Sequence, residues 1–181
     1  MEEIKPNLFL GFFDDDGVFP NNPMHPVLIW KHLLTAGGSS SSLQTTGIRR
    51  IEQSGWTAPW IWGVFPYHHY HTTAWEVLAC VQGYADIQIG GPTERIGRRI
   101  RVEVGDVLLI PPGVAHKQLD TFGSDFALLG AYPNETPNAD TVRGKPTSQQ
   151  RQSILECYVP EKEPISGANL RDLYEPRAHL K

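Results

Sequence analysis

At 181 residues, with 40% hydrophobic and 20% charged side chains, the chain suits one globular domain of ordinary size. A formal net charge of −4 excludes a general nucleic-acid binder, which needs a basic face to neutralise phosphates. No apolar run reaches membrane-spanning length, the start MEEIKPNLFLGFF lacks a signal-peptide pattern, and two cysteines cannot build a disulfide framework, so a cytoplasmic protein is expected.

In chain order, Asp14-Asp15-Asp16 before Gly17 reads as a turn in a solvated acidic loop. The apolar residues at 27–30 predict a strand, and 30–34 a short helix leading into Thr35. Gly37, Gly38 and Ser39 to Ser42 have the composition of a flexible surface loop. Further strands are predicted at 48–51, 60–65, 68–71, 76–81, 85–89, 99–104, 107–110 and 126–131. Arg95, Arg98, Arg99 and Arg101 interleave with Ile96, Ile100, Val102 and Val104, the pattern of the wet face of a strand. Cys80 sits in an apolar run and reads as a packing residue. From Asn134 onward the chain is polar and proline-studded; it is predicted to wrap the preceding strands and to form a helix around 168–174. Closely spaced short strands with many Gly and Pro turns predict an all-β sandwich or barrel.

Chemistry concentrates in PYHHYHTTAWE, residues 66–76, where three histidines fall within four positions. A strand sends alternate side chains to opposite faces, so His69 and His71 share one side while His68 and Tyr70 take the other. Only that i, i+2 pair can chelate one ion from a single strand. Glu76 follows a short turn, and the adjacent strand can bring its carboxylate beside the pair. His116, after the tight turn Pro111-Pro112-Gly113, is placed to arrive from across the barrel. By the same parity Phe65, Tyr67 and Gln118 are expected to line the pocket, whereas Trp60, Trp62 and Trp75 read as core or interface aromatics. His25, His32, His68 and His179 have no case as ligands. No serine–histidine–acid arrangement and no phosphate-cradling loop is readable.

The spacing Gly63-x5-His69-x-His71-x4-Glu76-x6-Gly83, followed by Gly105-x5-Pro111-x-Gly113-x2-His116, resembles the two cupin motifs in order. Asp120 stands where the second motif often ends in asparagine. FFDDDGVFPNNPMHPVLIWKHLL, GWTAPWIWGVFPYHHYHTTAWEVL, GDVLLIPPGVAHKQL and DFALLGAYPNE are further similar to the YjlB-like branch of single-domain cupins, across most of residues 8–135. The resemblance implies a cupin-type double-stranded β-helix, a jelly-roll barrel, as a single domain over 1–181. Its barrel core would span about 48–132, with an N-terminal strand and helix region at 1–47 and a C-terminal wrap at 133–181.

The resemblance also implies that His69, His71, Glu76 and His116 ligate a divalent transition metal: Fe, Mn, Ni, Cu or Zn. Glu76 would be a ligand that can also act as a catalytic base. The implied function is a metal-dependent enzyme on a small organic substrate, dioxygenase-type first. An isomerase, lyase or cyclase using the ion as a Lewis acid, or a non-catalytic binding module, are the alternatives. Single-domain cupins commonly pair, so a homodimer is expected, with the apolar run at 26–30 as its shared surface.

Overall fold

Alternate side chains of the apolar run 77–81 enter two different cores, and the architecture follows from that. The computed structural model describes residues 7–34 and 39–174. In chain order it has β1 (Asn7–Phe13), β2 (Asn22–Lys31), α1 (Ser40–Gln53), β3 (Trp56–Trp62), β4 (Glu76–Gln82) and β5 (Tyr84–Ile89). Then follow β6 (Arg98–Glu103), β7 (Val107–Ile110), β8 (His116–Asp120), β9 (Ala127–Pro133), α2 (Ser148–Glu156) and a 3₁₀ turn at Leu170–Leu173.

A six-stranded sheet in the order β1-β2-β7-β4-β9-β3 faces a three-stranded sheet in the order β6-β5-β8, with antiparallel pairing throughout. This is a jelly-roll barrel. Leu78 and Cys80 of β4, with Leu108 and Ile110 of β7, meet Ile87 and Ile89 of β5 between the sheets. Val77, Ala79, Val107 and Leu109 point the other way, into a second core with Trp30, Trp56, Trp75, Leu43 and Ile51. The large sheet is therefore covered on both faces, which explains why antiparallel strands read as unbroken apolar runs.

Several elements differ from the sequence reading. Residues 48–51 belong to α1, not to a strand. Leu43, Gly47 and Ile51 recur every fourth position and form its buried stripe. A Cβ on Gly47 would stand 2.7 Å from Leu129 Cδ2, so the small residue lets the helix lie against β9. Ser40 to Ser42 are the first turn of that helix, whereas Gly37 and Gly38 lie outside the described residues. The short helix expected at 30–34 is absent: Trp30 pairs with Val107, and Leu33 and Leu34 close the outer core. β1 and β8 escaped prediction, and β1 and β2 extend the large sheet, so the barrel begins well before residue 48. The segment 68–71 is not a regular strand but two isolated bridges, His69 with His116 and Tyr70 with Val142.

The run 26–30 is mostly interior to the chain, with Ile29 half-buried. β2 is flanked by β1 and β7, and Val27, Leu28 and Trp30 are buried in the chain's own cores. The acidic turn behaves as expected: Asp15 accepts from the Gly17 amide, and Asp16 from those of Val18 and Phe19. Of the basic run, Arg99 and Arg101 reach Asp86 with their Nε atoms at 2.7 and 2.8 Å on the outer face of β5–β6.

The C-terminal segment returns along the barrel and carries α2, which was not foreseen. Thr147 and Gln150 form a capping box at its start, side chain to backbone in both directions. Thr147→Ala is expected to cost about 1 kcal/mol. The check is a urea melt, where the midpoint should fall at constant slope; an unmoved midpoint would show that this cap contributes nothing.

Candidate metal centre

The bridge between His69 and His116 ties the histidine segment directly to β8. The His69 amide donates to the His116 carbonyl at 3.2 Å, and the His116 amide donates back at 2.9 Å. His71, two positions on, shares the face of His69. Glu76 opens β4 opposite Ile110. The ligating atoms of His69, His71 and His116 all lie within 4.8 Å of one another, and all three residues are buried. Glu76 Oε2 stands 3.1 Å from His116 Nε2 and 3.5 Å from His71 Nε2.

Each imidazole commits its Nδ1 proton to a backbone carbonyl: His69 to Tyr67 at 3.3 Å, His116 to Val114 at 3.0 Å and His71 to Asp140. This selects the tautomer whose Nε2 lone pair is free for an ion, the usual way a protein orients ligand histidines. On the carboxylate, Oε1 accepts the Tyr132 hydroxyl at 3.2 Å, which turns Oε2 toward the imidazoles. Glu76 Oε2 and His71 Nε2 are both buried and have no hydrogen-bond partner. Unpaired buried polar atoms of this kind cost about 1–3 kcal/mol each. A cation among them removes that cost, and ligand bonds of about 2.1 Å put neighbouring donors roughly 3 Å apart. The residues fit a divalent ion, and three histidines are placed to bind one.

The charges agree. Burial, its largest influence, works against ionising Glu76, but the imidazoles of His71 and His116 outweigh it and hold the carboxyl well below the usual range. His69 is lowered to about 3, first by burial and then by His116. Burial also opposes a proton on His71, yet Glu76 and Asp140 raise it on balance. Burial, then the charge on Glu76, pushes the Tyr132 phenol upward, so it stays a hydrogen-bond donor.

A cavity of about 270 Å³ opens onto these groups. Its walls are Trp60, Trp62, Val64, Phe65 and Leu78, with Tyr132 and Thr141 as the polar exceptions beside the histidines and Glu76. Phe65 therefore lies where parity put it, its ring edge-on to His69 at 5.0 Å. Tyr67 is outside the wall: it stacks on Phe65 at 5.0 Å and carries the Arg143 guanidinium over its ring, 3.4 Å from the centroid. Gln118 also leaves the wall, because its Oε1 accepts the Val64 amide at 3.2 Å and braces the rim. Trp60 packs against the inner core, as read from the sequence, and also lines the cavity; Trp62 lines it too and is 73% exposed at its mouth. Trp75 is fully buried in the outer core.

His68 points away, its ring 5.2 Å from Phe19; burial first, then Lys117, lowers it to about 4. His25 packs between Trp75 and Tyr174, His32 is exposed near Glu103 and Asp106, and His179 lies outside the described residues. Tyr132, Thr141 and Asp140 had no signal in the sequence: Tyr132 lies one residue past the predicted end of its strand, and the other two fall in the polar tail.

No family model matches the chain. It is 37% identical over 158 residues to the uncharacterized protein YjlB of Bacillus subtilis (strain 168), a match covering 86% of this chain and 88% of that protein. Among solved structures it is similar in fold to acireductone dioxygenase from Bacillus anthracis, which has a cadmium ion in its active centre. There the TM-score is 0.42 and the identity 16%, over 62% of this chain and 72% of that one. It is also similar to vicilin from Solanum lycopersicum (tomato), with a TM-score of 0.36 and 21% identity over 43% of this chain. The matched part spans only 22% of the vicilin's length. Among the described residues, no helix is long and apolar enough to cross a membrane.

Proposed function

The chain belongs to the YjlB-like branch of the cupin superfamily, and on that footing we propose that it is a metal-dependent enzyme acting on a small organic molecule, an oxidoreductase of the dioxygenase type. The observation that carries this reading is the set of three imidazoles converging at the floor of a largely apolar cavity, with Glu76 Oε2 beside two of them, His71 and His116. His69, His71, His116 and Glu76 would hold the ion. A bound Fe, Mn, Ni or Cu would supply Lewis acidity and an electron path between substrate and dioxygen.

The chain's own groups do the rest. Trp60, Trp62, Phe65, Val64 and Leu78 exclude water and grip a flat or apolar body. Apart from Glu76 and the histidines, the lining side chains carry no charge, so a small neutral molecule or a monoanion suits the site better than a sugar phosphate or a polyacid. Tyr132 holds Glu76 by Oε1, which lets the carboxylate stay a ligand or take a substrate proton at Oε2.

That same Tyr132–Glu76 pair favours a second reading, an isomerase, lyase or cyclase in which the ion only polarises a carbonyl while these residues move a proton. Iron-loaded protein incubated with a phenol or enol substrate, in air and under strict anaerobiosis, separates the two. Turnover that stops without oxygen supports the dioxygenase; turnover that persists, and that survives replacement of iron by zinc, replaces it with the Lewis-acid enzyme.

A further inference from the structure

Two of the three imidazoles are oriented by backbone immediately before them in the chain. His69 and His116 each give the Nδ1 proton to the carbonyl two residues back, of Tyr67 and Val114. For His71 the corresponding carbonyl is that of His69, which already accepts the His116 amide at 2.9 Å across the bridge. The proton of His71 goes instead to the carbonyl of Asp140, 69 residues downstream and outside both sequence motifs.

We propose that Asp140 is a positioning residue for the metal centre: its carboxylate clamps the C-terminal segment to Thr72 and Thr73, so that its own carbonyl fixes the His71 ring with Nε2 toward the ion. The inference rests on the metal reading above. The clamp is dense. Asp140 Oδ1 accepts the Thr72 amide at 2.6 Å and the Thr73 amide at 3.3 Å, while Oδ2 accepts the Thr72 hydroxyl at 2.6 Å. One residue thus grips three consecutive positions, 71, 72 and 73. The segment beyond continues the grip: Val142 bridges Tyr70, whose hydroxyl donates to the Gly144 carbonyl at 2.8 Å. Thr141, between them, forms part of the cavity wall. The tail therefore acts on the centre through a single imidazole. A ligand histidine deprived of its outer hydrogen-bond partner loses both its tautomer preference and its ring orientation.

The test is competition between the full chain and a chelator for Zn²⁺, paired with the visible spectrum of the Co²⁺-loaded protein. Asp140→Ala is expected to weaken Zn²⁺ binding by about 10–100-fold, the usual effect of losing an outer-shell partner, and to shift the Co²⁺ bands. Asp140→Asn keeps an acceptor for the Thr72 amide and should restore most of the affinity. Arg143→Ala is the control for general stability: it sits on the same segment and stacks on Tyr67, but contacts no candidate ligand. It should leave Zn²⁺ affinity and the Co²⁺ spectrum as they are, whatever it does to the melting temperature. Wild-type affinity and spectrum in Asp140→Ala would overturn the inference, and so would an equal loss in Arg143→Ala. If Asp140→Ala does not fold, Thr72→Val decides, and unchanged Zn²⁺ affinity there overturns it. A wild-type chain that binds neither Zn²⁺ nor Co²⁺ would remove the metal reading and this inference together; binding without loss in the variants removes this inference alone.

Discussion

Purified without added metal, the His69→Ala variant is expected to carry only background metal where the wild type carries about one ion per chain. The expectation rests on convergence. His69 is one of three buried imidazoles whose ligating atoms lie within 4.8 Å of each other, with Nδ1 committed to the Tyr67 carbonyl. Removing it takes away a donor outright, so the affinity loss should exceed the roughly 10–100-fold that outer-shell partners command. His68→Ala is the matching control. It deletes a neighbouring imidazole in the same segment, but one that faces Phe19, and its metal content should equal that of the wild type. Stability gives a second readout. An ion that binds only the folded state adds about 2.7 kcal/mol at a free concentration 100 times its Kd. Added metal should therefore raise the melting temperature of the wild type and of His68→Ala, and leave His69→Ala where it is. Equal metal content in the wild type and His69→Ala would defeat the central reading of the site.

That separation of His68 from its neighbours was legible in the sequence because it depends on a local rule. Period-two alternation needs only the backbone of residues 68–71 to be extended, and two bridges suffice to keep it so. Alternation fails where the answer depends on what stands opposite. Trp60 and Gln118 each lie on a row that faces inward, yet one meets the cavity and the other turns its carboxamide to the Val64 amide. Alternation names the face and says nothing of the space in front of it. Residues 48–51 show a different limit. Ile48 and Ile51 suit a short strand or one turn of helix equally, and the deciding pattern, Leu43-Gly47-Ile51, hides its middle member because glycine does not read as apolar. Asp140 was beyond reach for a third reason. Its role is a contact across 69 positions made by a main-chain carbonyl, to which residue type gives no clue.

Gly113→Ala is expected to be the most damaging small substitution near the site, costing about 3 kcal/mol. Two separate effects combine there. The φ of +88° lies in the region that L side chains avoid, and a Cβ would come closer than 3.0 Å to the Asn21 carbonyl oxygen. The neighbours have little room to yield. The Gly113 amide donates to the His71 carbonyl at 2.7 Å, Asn22 Nδ2 donates to the Pro112 carbonyl at 3.0 Å, and Asn21 Oδ1 accepts the Ala115 amide at 3.1 Å. These bonds pin the turn between two candidate ligands, His71 on one side and His116 three residues on. Relief of the clash must therefore move a ligand, and Zn²⁺ affinity should fall along with the melting temperature. Gly123→Ala isolates the first effect: its φ is +72°, but nothing lies within 4 Å of a Cβ there, so about 1 kcal/mol and unchanged Zn²⁺ affinity are expected. Thermal melts and chelator competition on the two variants give the comparison. Equal losses would mean that the close approach to Asn21 is immaterial, and that the second motif keeps its glycine for backbone conformation alone.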